Sequence, residues 1–296
     1  MINSGFAQSA LPSLVEYKQV SADGFSVLSV SIDNDSLLLK KDDGFYTSGI
    51  QIDVRKVRNA ATSSVSYGWR IGQELYTASD IKLKPEQLSP SDHPYAGWLY
   101  GGVYKQAFDA SGSGTYLGLD LGCLGPCAGG EWTQTNLHKV LDQPLPQAWN
   151  TQLKQEWGVV ASGQWSPSRW VLASKADLSP RLKTRLGNIF TDASADLTLR
   201  VGQLNQLPEQ AANYLYLRGE IKFIAYDATL QGGYFNNQDL GLHPKSSVGE
   251  LELGYLWRSN SYGVSAAVLR RSSGIKEIPN TQGMQNFARL QFSATM

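Results

Sequence analysis

The chain has 296 residues, with 26 Lys and Arg against 26 Asp and Glu and a formal net charge of +0, so it lacks the overall basic field that nucleic-acid binding needs. Charged residues make up 18% and hydrophobic ones 42%, a balance that excludes disorder, which combines low hydropathy with high net charge. No window approaches the roughly 18–20 consecutive apolar residues of a transmembrane helix; this excludes a helical membrane protein but not a β-barrel, whose strands alternate faces and keep the mean hydropathy near −0.28.

The chain begins Met1-Ile2-Asn3-Ser4-Gly5-Phe6, without the charged start and apolar stretch of a secretory leader. Taken alone that reads as cytosolic, whereas a membrane barrel requires a chain whose leader has been removed. Residues 1–24 read as an N-terminal extension and 25–296 as one domain, because no linker or shift in composition interrupts the latter. From Phe25 onward period-two alternation dominates. It predicts a first strand from Phe25 into Asn34-Asp35, a second over Tyr46–Val57, and a third over Val65–Leu75 with Val65, Tyr67, Trp69 and Ile71 on one face. Trp98–Phe108 and Thr115–Leu121 follow as a hairpin around Ala110-Ser111-Gly112-Ser113-Gly114.

The pattern then breaks. Cys123 and Cys127 flank Gly125-Pro126; in an exported chain they can join across this turn, and otherwise they are free thiols, since zinc finds no second Cys/His pair nearby. The spacing of Trp132, Leu137, Val140 and Leu141 predicts a short helix within Glu131–Leu141, ended by Pro144 and Pro146. Strands resume at Thr151–Trp165, Arg169–Asn188, Ala193–Val201, Tyr214–Gly233, Val248–Arg258, Tyr262–Arg271 and Asn286–Ser293. At Asp177–Pro180 and Asp227–Gly233 one bent strand and two short ones read alike. Long strands joined by alternately short and long connections fit a closed, tilted antiparallel barrel of about twelve strands better than a soluble sandwich. The 14 Tyr and 8 Trp suit two aromatic girdles.

Chemistry has few places to sit. Of the histidines His93, His138 and His243, His138 stands out, because it lies on the predicted helix one turn after Gln134 and shares its face. The bland alternative is an ordinary plug or loop helix. Asp33-Asn34-Asp35 and Lys41-Asp42-Asp43-Gly44-Phe45-Tyr46-Thr47 offer hard oxygens of the kind Ca²⁺ takes, or simply solvated turns. Lys82-Leu83-Lys84-Pro85 is a basic loop before Asp92-His93-Pro94-Tyr95-Ala96-Gly97-Trp98, suited to a phosphate or an oxyanion, or a solvated tip. There is no Gly-x-Ser-x-Gly elbow, P-loop, dinucleotide fingerprint or His-Glu-x-x-His.

Asn34-Asp35, Tyr46-Thr47-Ser48-Gly49, His93-Pro94-Tyr95-Ala96-Gly97-Trp98, Gly125-Pro126 with Gln134-x-x-x-His138, and Pro146-x-Ala148-Trp149 occur in fixed order. Together they resemble the outer-membrane lipid A 3′-O-deacylases of Gram-negative bacteria, over about Phe25 to Phe292. The resemblance implies an all-β, single closed antiparallel transmembrane barrel of twelve strands in the outer membrane, with its site between the wall and a short helix near the outer rim. It implies hydrolysis of a 3′-linked acyloxyacyl chain of lipid A, assisted by Ca²⁺, with water and not a serine as nucleophile. His138 would be the base and Gln134 its neighbour in the site. Thr47 would line the site, and Lys82, placed by counting back from Pro85, would be the oxyanion donor. Lys84 and Tyr46 would bind substrate, and Asn34 and Asp35 would lie at the metal or around it. The chain departs from the family at Leu83, where some members carry Arg, at Glu131-Trp132, which leaves the acid partner of His138 unnamed, and at its non-aromatic end, Met296. Two competing readings are a passive barrel, porin or ligand-binding, and an outer-membrane phospholipase.

Overall fold

The computed structural model describes residues 10–38, 44–236, 238 and 240–296. Strict alternation makes each long strand two-faced, and in a bilayer a two-faced sheet is satisfied only when it closes and leaves no unpaired edge. The strands are β1 (Phe25–Asn34), β2 (Phe45–Asn59), β3 (Ser63–Thr77), β4 (Ala96–Asp109), β5 (Gly114–Leu124), β6 (Glu156–Ser166), β7 (Trp170–Ala173), β8 (Ala176–Gly187), β9 (Phe190–Gln203), β10 (Ala212–Asp227), β11 (Ser247–Arg258), β12 (Tyr262–Arg271) and β13 (Gln285–Thr295). All pairings are antiparallel; β1 pairs with β13, and β6 pairs with β8 from Val160↔Gly187 to Trp165↔Leu182. The described residues thus form a closed ring of twelve strands, with β7 outside it as a short flap on β8.

Connections at one end are short, such as 60–62, 110–113 and 259–261, and at the other long, such as 78–95, 125–155 and 228–246. Outer-membrane barrels place short turns in the periplasm and long loops outside, so the long loops mark the outer rim. Ile50, Ile52, Trp69, Ile71, Val103, Leu119, Leu251 and Leu253 are exposed on the outer wall and form its lipid-facing band. Exposed Trp165, Trp170, Trp257 and Tyr262 gather at the periplasmic end and Trp132, Trp157, Tyr234 and Phe235 at the outer one, giving the two girdles. The opposite side chains fill the lumen with ion pairs. Arg70 meets Asp120, Arg218 meets Glu220, Glu250 and Glu252, and Arg289 meets Asp33 and Glu252. Between them lie cavities of about 480 and 430 Å³. An apolar cluster of Trp98, Leu124, Leu153, Ile189, Phe190 and Ala228 packs at the upper mouth. No helix among the described residues is long and apolar enough to cross a membrane.

Several bounds differ from the alternation. The stretch 169–188 divides between β7 and β8 at Ser174-Lys175, so Asp177–Pro180 lies inside one continuous strand. β10 stops at Asp227 because that carboxylate accepts the Thr229 N–H and starts a short helix, α3 below. Residues 149–151 form a 3-10 turn, and β6 begins only at Glu156. Four helices are described: α1 (Leu14–Asp23), α2 (Gly130–Val140), α3 (Ala228–Gln231) and α4 (Asn280–Gly283). Of these only α2 is written in the periodicity; α1 buries a single residue, Val20, and so has no apolar stripe to read. Cys123 and Cys127 form a disulfide that ties the end of β5 to the turn before α2.

Candidate active site

α2 lies against the outside of the barrel. Leu75 and Gly97 share the face of Trp69, Ile71 and Val103, and it is this face that meets the helix and its approach. Glycine makes the approach possible: a Cβ on Gly130 would stand 2.6 Å from Trp149 Cη2 and 3.0 Å from Leu75 Cδ2. Gly129, at φ +67°, turns the chain into the helix. The Ala128 carbonyl just before it accepts a 2.6 Å hydrogen bond from Gln73 Nε2.

Gly130, Gln134 and His138 recur every four residues and are the buried face of α2. His138 is 4% exposed, and its Nδ1 lies 2.6 Å from the Pro144 carbonyl oxygen. A carbonyl only accepts, so Nδ1 carries the proton and the neutral ring keeps its lone pair on Nε2. The backbone arranges this contact. Asp142 takes a left-handed φ of +52°, the Gln143 N–H returns to the His138 carbonyl at 2.9 Å, and the chain folds back so that Pro144 faces the ring. Gln134 is 2% exposed; its Oε1 accepts from Trp149 Nε1 at 2.7 Å. The indole can only donate, so the amide orientation is fixed. The buried Gln134 Nε2 then points its hydrogens at no acceptor among the described residues.

The wall opposite is built by a β-bulge. Tyr46 pairs with Tyr76 and Ser48 with Leu75, leaving Thr47 as the extra residue; bulges at barrel rims re-aim side chains in this way. Thr47 Oγ1 meets Thr77 Oγ1 at 2.6 Å, and both are buried. Next to Thr77, Ala78 packs with Leu75, Tyr95, Ala148 and Trp149, the last of which holds Gln134. Asp35, 7% exposed, accepts the Gly44 N–H at 3.2 Å, and Gly44 packs on Ser79, two residues beyond Thr77. Thr47, Gln134, His138 and, through Gly44, Asp35 therefore belong to one corner of the outer wall.

Other predicted residues take no part in this chain of contacts. Asn34 turns its Oδ1 to the Ser36 N–H at 2.7 Å and to the Ser36 hydroxyl, capping the strand end. Lys82 and Lys84 are exposed. The Lys82 loop is anchored beside the site because the Ile81 carbonyl accepts the Gln147 N–H at 2.9 Å. Tyr46 is on the other side of the wall: its hydroxyl donates to Asp33 at 3.3 Å and its ring packs on Phe287 in the lumen. The His93–Trp98 motif straddles the wall, with Tyr95 against Trp149 outside and His93 stacked on Tyr76 inside. Burial holds the His93 ring below the ordinary histidine range. His243 is exposed and paired with Glu277 at 2.9 Å. Lys41, Asp42 and Asp43 lie outside the described residues. Of the residues that position the site, Thr77 and the Pro144 carbonyl carry no sequence signature, Gly130 shows as the end of a glycine-rich turn before the helix, and Trp149 is visible only as part of a motif.

Among the described residues no three His, Cys, Asp or Glu gather as a metal cage. The Asp35 carboxylate is a hard oxygen donor that fits Ca²⁺ in kind, while the amide oxygens of Asn34 and Gln134 already accept from Ser36 and Trp149; with one carboxylate such a site would be of low charge.

The family described as "Outer membrane protein LpxR" matches residues 4–296. Among solved structures, LpxR from Salmonella typhimurium aligns with a TM-score of 0.75 at 18% identity, covering 91% of this chain and 100% of that one. The β domain of the Bordetella autotransporter BrkA aligns at 0.51 and 12% identity, covering 92% and 99%. At these identities the likeness speaks for the barrel fold. No curated protein matches the sequence.

Proposed function

The chain belongs to the family of outer membrane protein LpxR and is an outer-membrane β-barrel; from that premise we propose that it hydrolyses the ester of a 3′-linked acyloxyacyl chain of lipid A. The observation that carries this reading is a buried imidazole, fixed in one tautomer, on the lipid side of the wall near the outer rim. A plug helix of a porin would sit in the lumen. Here α2 lies outside, where a lipid of the outer leaflet can reach it laterally.

In this mechanism the His138 Nε2 lone pair takes a proton from water as the water attacks the ester carbonyl; when the tetrahedral intermediate collapses, the acyl C–O bond to the 3′ oxygen breaks and His138 returns the proton to that leaving oxygen. The Pro144 carbonyl, already accepting from Nδ1, stabilises the imidazolium that forms. Gln134 Nε2, aimed by Trp149, donates to the developing oxyanion. The Thr47–Thr77 hydroxyl pair is the polar part of the barrel wall at this corner. Lys82, on the exposed loop anchored at Ile81 to the segment after α2, supplies a cation to the oxyanion or to a substrate phosphate, and Lys84 is a second phosphate contact. Tyr46 is left out, because it faces the lumen. Held by Asp35 with Asn34 nearby, Ca²⁺ would add Lewis-acid polarisation of the carbonyl.

The test is fatty-acid release by the purified barrel from lipid A and from a glycerophospholipid, each with and without a Ca²⁺ chelator. Release from lipid A alone, abolished by the chelator and restored by Ca²⁺ at about 10⁻⁴–10⁻³ M, the range of low-charge sites, is the expected result. Release from the phospholipid identifies a phospholipase, and release from neither identifies a passive barrel.

A further inference from the structure

α1 crosses the periplasmic rim on the outside of the barrel. The Leu11 carbonyl accepts from Lys105 Nζ of β4 at 3.0 Å, Tyr17 packs on Tyr67 of β3 with centroids 5.4 Å apart, and the Gly24 carbonyl accepts from Lys56 Nζ of β2 at 3.4 Å. The helix is therefore a shelf running across three strands. Above it, toward the bilayer, is a groove of about 620 Å³. Its back wall is Val54, Trp69, Val103 and Leu119, of which Trp69, Val103 and Leu119 are 50%, 62% and 44% exposed. These residues continue the lipid-facing band, so hydrocarbon reaches the groove from above.

The floor is polar and basic. Lys56, Lys105, Ser21 and Ser26 line it. A lysine on the lipid side of a barrel wall is tolerated only near an interface, and the two lysines here are handled differently. Lys105 is buried and paired with Glu16 of α1 at 2.5 Å. Lys56 is half-buried and in no ion pair among the described residues; its long hydrogen bond to Gly24 leaves its charge uncompensated. Just before α1 and in its first turn, Leu11, Leu14 and Val15 are 68%, 80% and 68% exposed, as on a helix lying in a membrane interface.

We propose that the groove above α1 binds one phospholipid of the periplasmic leaflet, its phosphate at Lys56 beside Ser21 and Ser26 and its acyl chains along Trp69, Val103 and Leu119. The polarity runs the right way: the charged end is at the periplasmic shelf and the apolar end points to the bilayer centre. Basic residues at the interface favour an anionic headgroup, which gives phosphatidylglycerol an advantage over a neutral lipid. This site is on the opposite rim from α2 and is independent of the proposed hydrolysis.

The experiment uses the full chain in detergent, incubated with dipalmitoyl phosphatidylglycerol or with dipalmitoylglycerol, which has the same chains and no phosphate. Native mass spectrometry should retain one phosphatidylglycerol and little dipalmitoylglycerol. Lys56→Glu should weaken retention ~10-fold or more, the loss expected of a charge-assisted contact, while Lys175→Glu at the same rim should not. Heat-modifiable gel mobility confirms that each variant is a folded barrel. A phosphatidylglycerol with a photoreactive acyl chain should label peptides containing Val103 or Leu119. Equal retention by Lys56→Glu, equal retention of dipalmitoylglycerol, or labelling confined to other strands would overturn the proposal.

Discussion

His138 and Pro144 meet through a backbone carbonyl, where a carboxylate would be the more familiar orienter of a base. A carbonyl fixes the tautomer without adding a charge. His138→Ala should therefore reduce lipid A hydrolysis by the ~10²–10⁴-fold of a general base and leave heat-modifiable mobility unchanged. Trp149 works one step back, since its Nε1–H decides which way Gln134 faces. Gln134→Ala should lower kcat by ~10²–10³-fold, the worth of an oxyanion donor. Trp149→Phe should lower it less and leave KM unchanged, because the donor remains but is no longer aimed; equal loss in both would make Trp149 merely structural. His93 gives a pH dependence. Burial is the dominant cause of its lowered pKa, against the opposing pulls of the Pro94 carbonyl, Asp227 and Asp92. The unfolded chain takes up this proton near pH ~6.5, where the folded one still resists it. The stability from His93 is thus complete above that pH and declines as pH falls below it. The difference between urea midpoints at pH 7.5 and 5.5 should shrink in His93→Gln; an unchanged difference would assign the effect to other groups.

At the scale of elements, α2 depends on close approach at its start and on a left-handed turn at its end. Gly130→Val puts side-chain atoms where Trp149 and Leu75 already stand, so the helix must lift from the wall and carry Gln134 and His138 with it. Activity should fall by at least ~10²-fold, the scale on which a displacement of about 1 Å disables a site, in a barrel that still folds. At Asp142 the φ of +52° costs a β-branched residue more than it costs Asp. Asp142→Val should lower activity by loosening Pro144, and Asp142→Gly should retain it; the same assay on both variants checks the pair. Sequence periodicity located α2 to within one residue at each end, although the apolar residues that spelled it, Trp132, Leu137, Val140 and Leu141, are exposed and its buried face is Gly130, Gln134 and His138. It could not locate Thr77 or the Pro144 carbonyl, since a bulge and a returning turn leave no period. Lys82 was found by its motif, but its ammonium is exposed, so its role rests on the resemblance. Tyr46 shares the period of Ser48 and Ile50, which would place it on the outer face with them, and only the bulge at Thr47 reveals that it turns into the lumen instead.

The barrel as a whole separates two environments, and the alternation that made it legible also explains why. Val27, Ser29, Ser31 and Asp33 turn inward along β1 while Ile32 is exposed outside, so a single period of two specifies both wall and lumen. Ring closure was harder to read, because β6 pairs with β8 and skips β7, a choice no local pattern records. The lumen is held by ion pairs and the proposed cleft by packing on the outside, so the two should respond separately to substitution. Arg289 offers the test. It donates to both carboxylate oxygens of Asp33, at 2.8 and 2.7 Å, and to Glu252 at 3.3 Å. Arg289→Met removes the cation and leaves both acids facing each other in the lumen, where breaking a buried pair costs ~3–5 kcal/mol. Arg289 is 28% exposed, and Arg218 still reaches Glu252, so the loss should lie toward the lower end of that range as a reduced urea midpoint. Hydrolysis by the folded fraction should be unchanged, since Arg289 lines the lumen and His138 is outside. If kcat falls in step with stability well below the unfolding midpoint, the site under α2 depends on the lumen network, and the wall does not insulate one from the other.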